Sequence, residues 1–392
     1  MELSELKPWI AAEREAFLQN LEALVNINTF TANTEGVDQG MKFVSDLAVR
    51  MGLQVEMVKE RHRLIKSGNG QGPRILLISH VDTVHPPDGG FLHYEPQAEG
   101  YVRGPGVGDM KGGLLMGLWT LKAMQQLAHD FDVQLVVSAD EETGSPSLQD
   151  WYLANGSGAR YGLGLEPGFP QGPLTPEVVM GVVEERKGCG RILFSLQGKA
   201  AHAGGEWEKG LSAIQAMAQR VVDIHALIDT SKGITTNVGL VNGGTAANTI
   251  AEKAAAQVDY RFKTQADAEA TYAAIRQIVH QARVHNPHLD LWEQVTQFEQ
   301  TVYLPPMEAS PANRMLVDLV LGEADRLGQK VLPISRGGGS DANYTSGGGV
   351  PSICGMGAPA ENIHSPQERI LLPMLFDRLE LLIASTFRLA TC

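Results

Sequence analysis

The stretch Val133-Gln134-Leu135-Val136-Val137-Ser138-Ala139-Asp140-Glu141-Glu142-Thr143-Gly144-Ser145 constrains this chain more than any other. Its apolar start, Val133 to Val137, reads as a buried strand. The strand runs into three consecutive carboxylates and then a Gly/Ser turn. Adjacent negative charges at the end of a core strand repel one another and lose solvation, so something positive must offset them. No Lys or Arg occurs in the dozen residues that follow. A divalent metal meets that need. Neighbouring side chains leave a strand end in different directions, so one carboxylate can bind metal while the next stays available as a base. By itself the stretch is equally readable as a solvated acidic loop.

The rest of the chain repeats this theme of polar groups at strand ends. Ile75 to Ile78 is an apolar strand leading into His80-Val81-Asp82. Residues two apart on an extended segment share a face, so Asp82 can support His80 or sit beside it; a surface or N-cap pair is the plain alternative. Gly104-Pro105-Gly106-Val107-Gly108-Asp109-Met110-Lys111-Gly112-Gly113 opens a helix rich in Leu and Met. Its spacing is not G-x-G-x-x-G, it lacks G-K-[ST], and no useful strand precedes it, which argues against a nucleotide loop. The glycines instead allow close backbone packing that holds Asp109 at the helix start. Glu166 ends the apolar run before Pro167-Gly168, and His364 follows a strand and a Gly-rich loop. Each of these alone is an ordinary turn residue. Together His80, Asp109, Glu142, Glu166 and His364 form two imidazoles and three carboxylates. In open α/β sheets, sites lie beyond the carboxyl ends of the strands. Mixed N/O ligands suit zinc or a similar divalent ion, and five ligands suit two metals sharing a carboxylate better than one tetrahedral site.

Helical periodicity is expected over 9–28, 37–51, 208–229, 267–285, 311–328 and 371–389, and strands over 53–58, 75–78, 191–196, 234–241, 251–262, 289–298 and 350–354. Strand, Gly-rich turn and helix alternate to about residue 168, which predicts an α/β catalytic domain: a mixed sheet with helices on both faces. The order changes near 180–187 to strand-helix-strand-strand-helix-strand, the sign of an inserted ferredoxin-like α+β unit. The expected division is 1–186 and 299–392 for the catalytic domain and 187–298 for the insertion. The length of 392 residues accommodates both. A net charge of −13 without a basic run argues against a nucleic-acid partner. No signal-like N-terminus and no apolar stretch of about 18 residues occurs, so no membrane span is expected. Three scattered cysteines, Cys189, Cys354 and Cys392, argue against a disulfide framework or a thiolate zinc site and fit a cytoplasmic location.

The segments S-H-V-D-T-V, G-P-G-V-G-D-M-K-G-G, D-E-E-T-G-S, L-E-P-G, G-K-A-A-H-A-G, G-G-G-S-D-A-N and I-H-S-P, in this order, resemble the dizinc amidohydrolase family that contains glutamate carboxypeptidase of the carboxypeptidase G type, acetylornithine deacetylase and succinyl-diaminopimelate desuccinylase. The resemblance runs from about residue 20 to the end. It implies two Zn2+ (Co2+ or Mn2+ substituting), bridged by Asp109. His80 and Glu166 would complete one metal and Glu142 and His364 the other, with Asp82 orienting His80 and Glu141 as general base. It implies an inserted lid that forms a homodimer, with His202 reaching the partner's active site to stabilise the oxyanion. Asn248, Arg261 and the turn at Gly338 would hold a substrate carboxylate. The implied reaction is hydrolysis of the amide bond of a peptidyl or N-acyl amino acid with a free C-terminal carboxylate. The alternatives are an N-acyl amino acid deacylase of the acetylornithine deacetylase kind and a non-catalytic metal-binding homologue. Val295-Thr296-Gln297-Phe298-Glu299-Gln300 lacks an arginine for a glutamate side chain, and Arg336 is the substitute considered.

Overall fold

Long apolar strands with no polar face can only be accommodated where both sides of a sheet are covered. The computed structural model of the chain, which describes residues 2–128 and 130–391, uses its apolar runs in this way. Cys392 lies outside the described residues. Arg74–His80 and Asp132–Ser138 are parallel neighbours, buried from Ile75 to His80 and throughout Asp132–Ser138. Successive residues of a strand point to opposite faces, so continuous burial means that helices cover both. Tyr161–Gly164 pairs parallel on the far side of Arg74–His80, and Ser352–Ile353 pairs parallel with it in turn. At the other edge His62–Gly68 and Gln54–Val58 add antiparallel, completing a mixed sheet of six strands.

The chain divides into two compact units. The first comprises 1–185, 307–336 and 340–392. Its core includes the buried helix Gly113–Leu127, with Trp119 edge-on to Phe17 at 4.9 Å between ring centres and Phe376 edge-on to Phe17 at 5.4 Å. The second comprises 186–306 with 337–339. Its antiparallel sheet has Gly188–Gln197 and Lys253–Phe262 in the middle and Thr235–Gly243 and Gln294–Leu304 at the edges. Helices Ala213–His225 and Gln265–His280 complete the βαββαβ order. A fully buried Arg220–Glu293 pair at 2.9 Å ties the first of these helices to the segment after the second.

Local chemistry accounts for the departures from the expected element ends. Asn33, Ser212, Thr264 and Ser310 accept backbone N–H groups and start their helices at Thr34, Ala213, Gln265 and Pro311. The first helix, Leu6–Val25, stops short of 28, and Lys111 Nζ takes the carbonyl of Ile27 just beyond its end at 2.9 Å. The strand expected at 289–298 is Gln294–Leu304 instead, since a small His285–Asn286 and Leu291–Trp292 hairpin occupies the residues before it. Among the described residues no helix is long and apolar enough to cross a membrane.

Candidate metal centre

Parallel strands release their chains at the same edge. His80 lies beside Ser138, and Ile78 beside Gly164. The continuations therefore deliver His80, the Asp140–Glu142 turn and Glu166 to one place. His80 Nε2 is 3.3 Å from Asp109 Oδ1, 3.7 Å from Glu166 Oε1 and 3.8 Å from Glu141 Oε2. The second Asp109 oxygen, Oδ2, lies 3.1 Å from His364 Nε2, which is 3.5 Å from Glu142 Oε2. Asp109 thus stands between two imidazoles, each with a further carboxylate. His364 has φ +61°, a left-handed conformation that costs a non-glycine residue about 1 kcal/mol or more and aims its ring.

The tautomer of His80 follows from its partners. Its Nδ1 is 2.9 Å from the Asp82 carbonyl oxygen, which can only accept, so Nδ1 carries a proton and Nε2 is the nitrogen turned to the Asp109 side, where a bound cation would take its lone pair. The Asp82 carboxylate is 3.4 Å from the same nitrogen but is chiefly an acceptor for the acidic turn: its oxygens take the N–H groups of Glu141 and Glu142, each at 3.1 Å, and the Thr31 hydroxyl at 2.8 Å.

Asp109 is not at a helix start. Val107–Gly112 is one wide turn in which Asp109 and Met110 leave helical angles, and the regular helix begins at Gly113. The glycines matter through close packing. A Cβ on Gly108 would collide with Ala360, and one on Gly113 with the Leu165 carbonyl. The turn is held by Glu368, fully buried, which accepts from Gly108 N at 2.8 Å, Asp109 N at 2.9 Å, Gly106 N at 3.3 Å and His85 Nε2 at 2.8 Å. Pairing of Tyr101–Arg103 with Arg369–Leu371 brings the two loops together. On the other flank the buried Asp341 accepts from Ser145 and Tyr152, supporting the residues after Glu142. Sequence reasoning missed Glu368, His85, Asp341 and Lys111 as contributors. Only the two buried within quoted motifs, Lys111 and Asp341, carried any signal.

Among the described residues, three buried ligand-type atoms at this centre have no hydrogen-bond partner: His80 Nε2, Asp109 Oδ1 and Glu142 Oε1. These residues, and separately His80, Glu141 and Glu166, offer ligand atoms all within 4.8 Å of one another. The electrostatics are those of a cation site. Burial, aided by Glu166, raises the Glu141 pKa well above the carboxylate range. Burial and Asp109 push Glu142 up to about 8. His364, hydrogen-bonded to Asp109, is raised to about 9. Burial opposes charging of His80, but Asp109 and Asp82 overcome it and raise its pKa. Burial would raise Asp109 too, yet its bonds to His364 and His80 hold it below its ordinary value. The protein retains protons here in place of positive charge, and divalent cations fit the donor set.

The remaining candidates belong to the second unit. His202 is exposed, and its Nδ1 accepts from Gly204 N and Gly205 N at 3.2 and 3.1 Å, so its proton sits on Nε2 as an outward donor. It bridges Thr249, and Ala203 N donates to the Asn248 carbonyl. Arg261 is forked onto Asp259 of its own strand at 2.8 and 3.2 Å. The Gly338 carbonyl accepts from Arg186 Nη1 at 3.0 Å. Arg336, in the first unit, lies over the Phe169 ring at 3.9 Å.

Known proteins resemble this chain in sequence and in fold. Carboxypeptidase G2 of Pseudomonas sp. (strain RS-16) is 28% identical over 365 residues, covering 90% of this chain and 84% of its own. N-acetyl-L-citrulline deacetylase of Xanthomonas campestris pv. campestris is 28% identical over 281 residues, covering 68% of this chain and 72% of its own. Among solved structures, aminopeptidase PepT from Bacillus cereus ATCC 10987 superposes with a TM-score of 0.76 at 21% identity over 96% of this chain and 98% of that one. The Bacillus subtilis YXEP protein, a dinuclear metal binding peptidase, has a TM-score of 0.71 at 14% identity over 97% and 99%. The model of peptidase family M20/M25/M40 matches residues 76–386. The chain belongs to that family of hydrolases.

Proposed function

We propose that this enzyme uses two Zn2+ ions to hydrolyse the amide bond that links an amino acid with a free carboxylate to an acyl or peptidyl group. The observation that carries this reading is the position of Asp109, one oxygen toward His80 and the other toward His364, with Glu166 and Glu142 beside them. Two divalent cations supply polarisation of a carbonyl and acidification of the attacking water.

The residues do the rest. Glu141 takes the proton of the water whose oxygen attacks the amide carbon, then gives it to the nitrogen as the C–N bond breaks. Buried and raised in pKa, it is a base only when positive charge nearby returns it to the carboxylate, which couples its action to a loaded site. His202, with Nε2–H outward, is the donor for the developing oxyanion, contributed by a second copy of the chain. Asn248, Arg261 and Gly338 receive the substrate carboxylate; Asp259 engages Nε and Nη2 of Arg261, so substrate uses the other edge of the fork or displaces that partner. The homodimer reading is supported by the edge strand Thr235–Gly243, which exposes Leu240 and Val241. Among the described residues Cys189 and Cys354 are buried and joined in no disulfide, which supports a cytoplasmic enzyme.

The carboxypeptidase reading is favoured by the relative matched over 90% of this chain. Deacylation of N-acyl amino acids is the second reading, supported by the citrulline deacetylase relative. A panel of dipeptides and N-acetyl amino acids varied at the C-terminal residue separates them. Glu141→Gln is expected to abolish turnover with both Zn2+ retained; activity within tenfold of the parent would remove Glu141 from this role.

A further inference from the structure

His62 plays no part in the motifs above, yet it is fully buried beside the acidic turn. It opens the strand His62–Gly68, whose ladder with Asp132–Ser138 reaches only as far as Arg63 opposite Val137. The next free amide, Ala139 N, donates instead to His62 Nδ1 at 3.1 Å. An imidazole that accepts at Nδ1 and is neutral carries its proton on Nε2. Burial keeps this ring neutral by lowering its pKa. Nε2–H therefore donates to Ser147 Oγ at 2.8 Å, and the Ser147 hydroxyl donates onward to Asp140 Oδ2 at 2.5 Å. Ser147 N reaches the same oxygen at 3.3 Å. One ring thus grips both ends of the segment Ala139–Ser147 and, through Ser147, the residue before Glu141. Asp82 grips its middle through the Glu141 and Glu142 amides.

We infer that His62 is a positioning residue for the reaction: through Ala139 and the Ser147–Asp140 chain it sets the turn from which Glu141 and Glu142 project. This rests on the roles proposed above for those two glutamates. Loss of His62 leaves Ala139 N without its acceptor and Ser147 Oγ without its donor, and lets the turn move relative to His80 and Asp109. Substrate-holding groups are untouched, so the effect falls on kcat and on the cation that Glu142 ligates, not on KM.

The test uses the full chain with His62→Leu, His62→Gln, Ser147→Ala and the Leu/Ala double variant. Metal-depleted protein is titrated with Zn2+ by calorimetry, a readout independent of turnover, and kcat and KM are measured on a substrate turned over by the parent. Outer-shell partners of a metal centre typically contribute 10–100-fold. The weaker Zn2+ affinity and kcat are expected to fall by roughly that factor in His62→Leu, with KM within about twofold. Ser147→Ala should show the same pattern to a lesser degree. The double variant should be little worse than His62→Leu, because both break one chain. His62→Gln, whose amide can donate to Ser147, should recover part of kcat. Folded Ser147→Ala and His62→Leu with both quantities within twofold of the parent overturn the inference; if His62→Leu does not fold, Ser147→Ala decides alone. A parent that takes up fewer than two Zn2+ overturns the function proposal as well, and the parent titration distinguishes that case from the first.

Discussion

Glu368→Leu is the perturbation whose consequence can be worked most directly from the structure. The Glu368 carboxylate is sealed from solvent and accepts four donors, with Oε1 serving Gly108 N and Asp109 N at 2.8 and 2.9 Å. Hydrogen bonds to a charged acceptor contribute about 1.5–3 kcal/mol each. Leucine nearly fills the volume but accepts nothing, so the two amides lose about 3 kcal/mol of protection at the low end. At 1.4 kcal/mol per factor of ten, local opening of the Val107–Gly112 turn becomes roughly a hundredfold more frequent. Hydrogen exchange followed on the peptide spanning 104–112 reads this directly. Asp109 faces both imidazoles, so the same variant should weaken both Zn2+ affinities in calorimetry. Glu368→Gln is the control. Its carbonyl can keep Gly108 and Asp109 while its amide turns to His85, whose ring can shift its proton to Nδ1 and accept. It should exchange close to the parent rate. Less than a threefold acceleration in the leucine variant, or a glutamine variant as fast as leucine, would refute the reasoning.

Three further outcomes are expected. Glu142 and His364 both hold protons more tightly in the folded, metal-depleted chain than when unfolded, with values of about 8 and about 9. Their stabilisation is complete below their unfolded pKa values and is lost as pH rises through the folded ones. The Tm of chelated protein should therefore fall between about pH 5 and 9, and a rise across that range would contradict the assignment. Zn2+ at a hundredfold excess over its Kd should raise unfolding free energy by about 2.7 kcal/mol and release protons, seen as a binding heat that varies with buffer ionisation enthalpy. In the second unit, Arg220→Met leaves Glu293 buried without its cation, although Arg283 N and Val284 N still donate to it. A loss of about 3 kcal/mol in urea unfolding is expected, partly regained by adding Glu293→Leu.

The architecture was readable because it rests on local periods. The apolar runs at 75–78 and 133–137 have the length and continuity of strands buried on both faces, and the βαββαβ order of the insertion is an order of such periods. Element ends were read less well because they depend on single hydrogen bonds, such as the Ser212 and Ser310 caps. At the centre, carboxylates and imidazoles stand out in sequence because strand ends are poor places for unbalanced charge. Glu368 and His62 do not stand out. A glutamate between Gln367 and Arg369, or a histidine flanked by two arginines, reads as solvated surface until folding buries it.

The amino-acid order is enough to say that this chain builds a layered α/β unit interrupted by a smaller α+β one, and that acids end its core strands, since those features follow from residue spacing and the energetic penalty of burying charge. Whether those acids meet is another matter. Parallel register sets His80 beside Ser138, a loop more than 250 residues beyond Asp109 carries His364 to its second oxygen, and Glu368 pins the turn between them. Convergence of this kind arises from pairing and packing between distant segments, which no local period encodes.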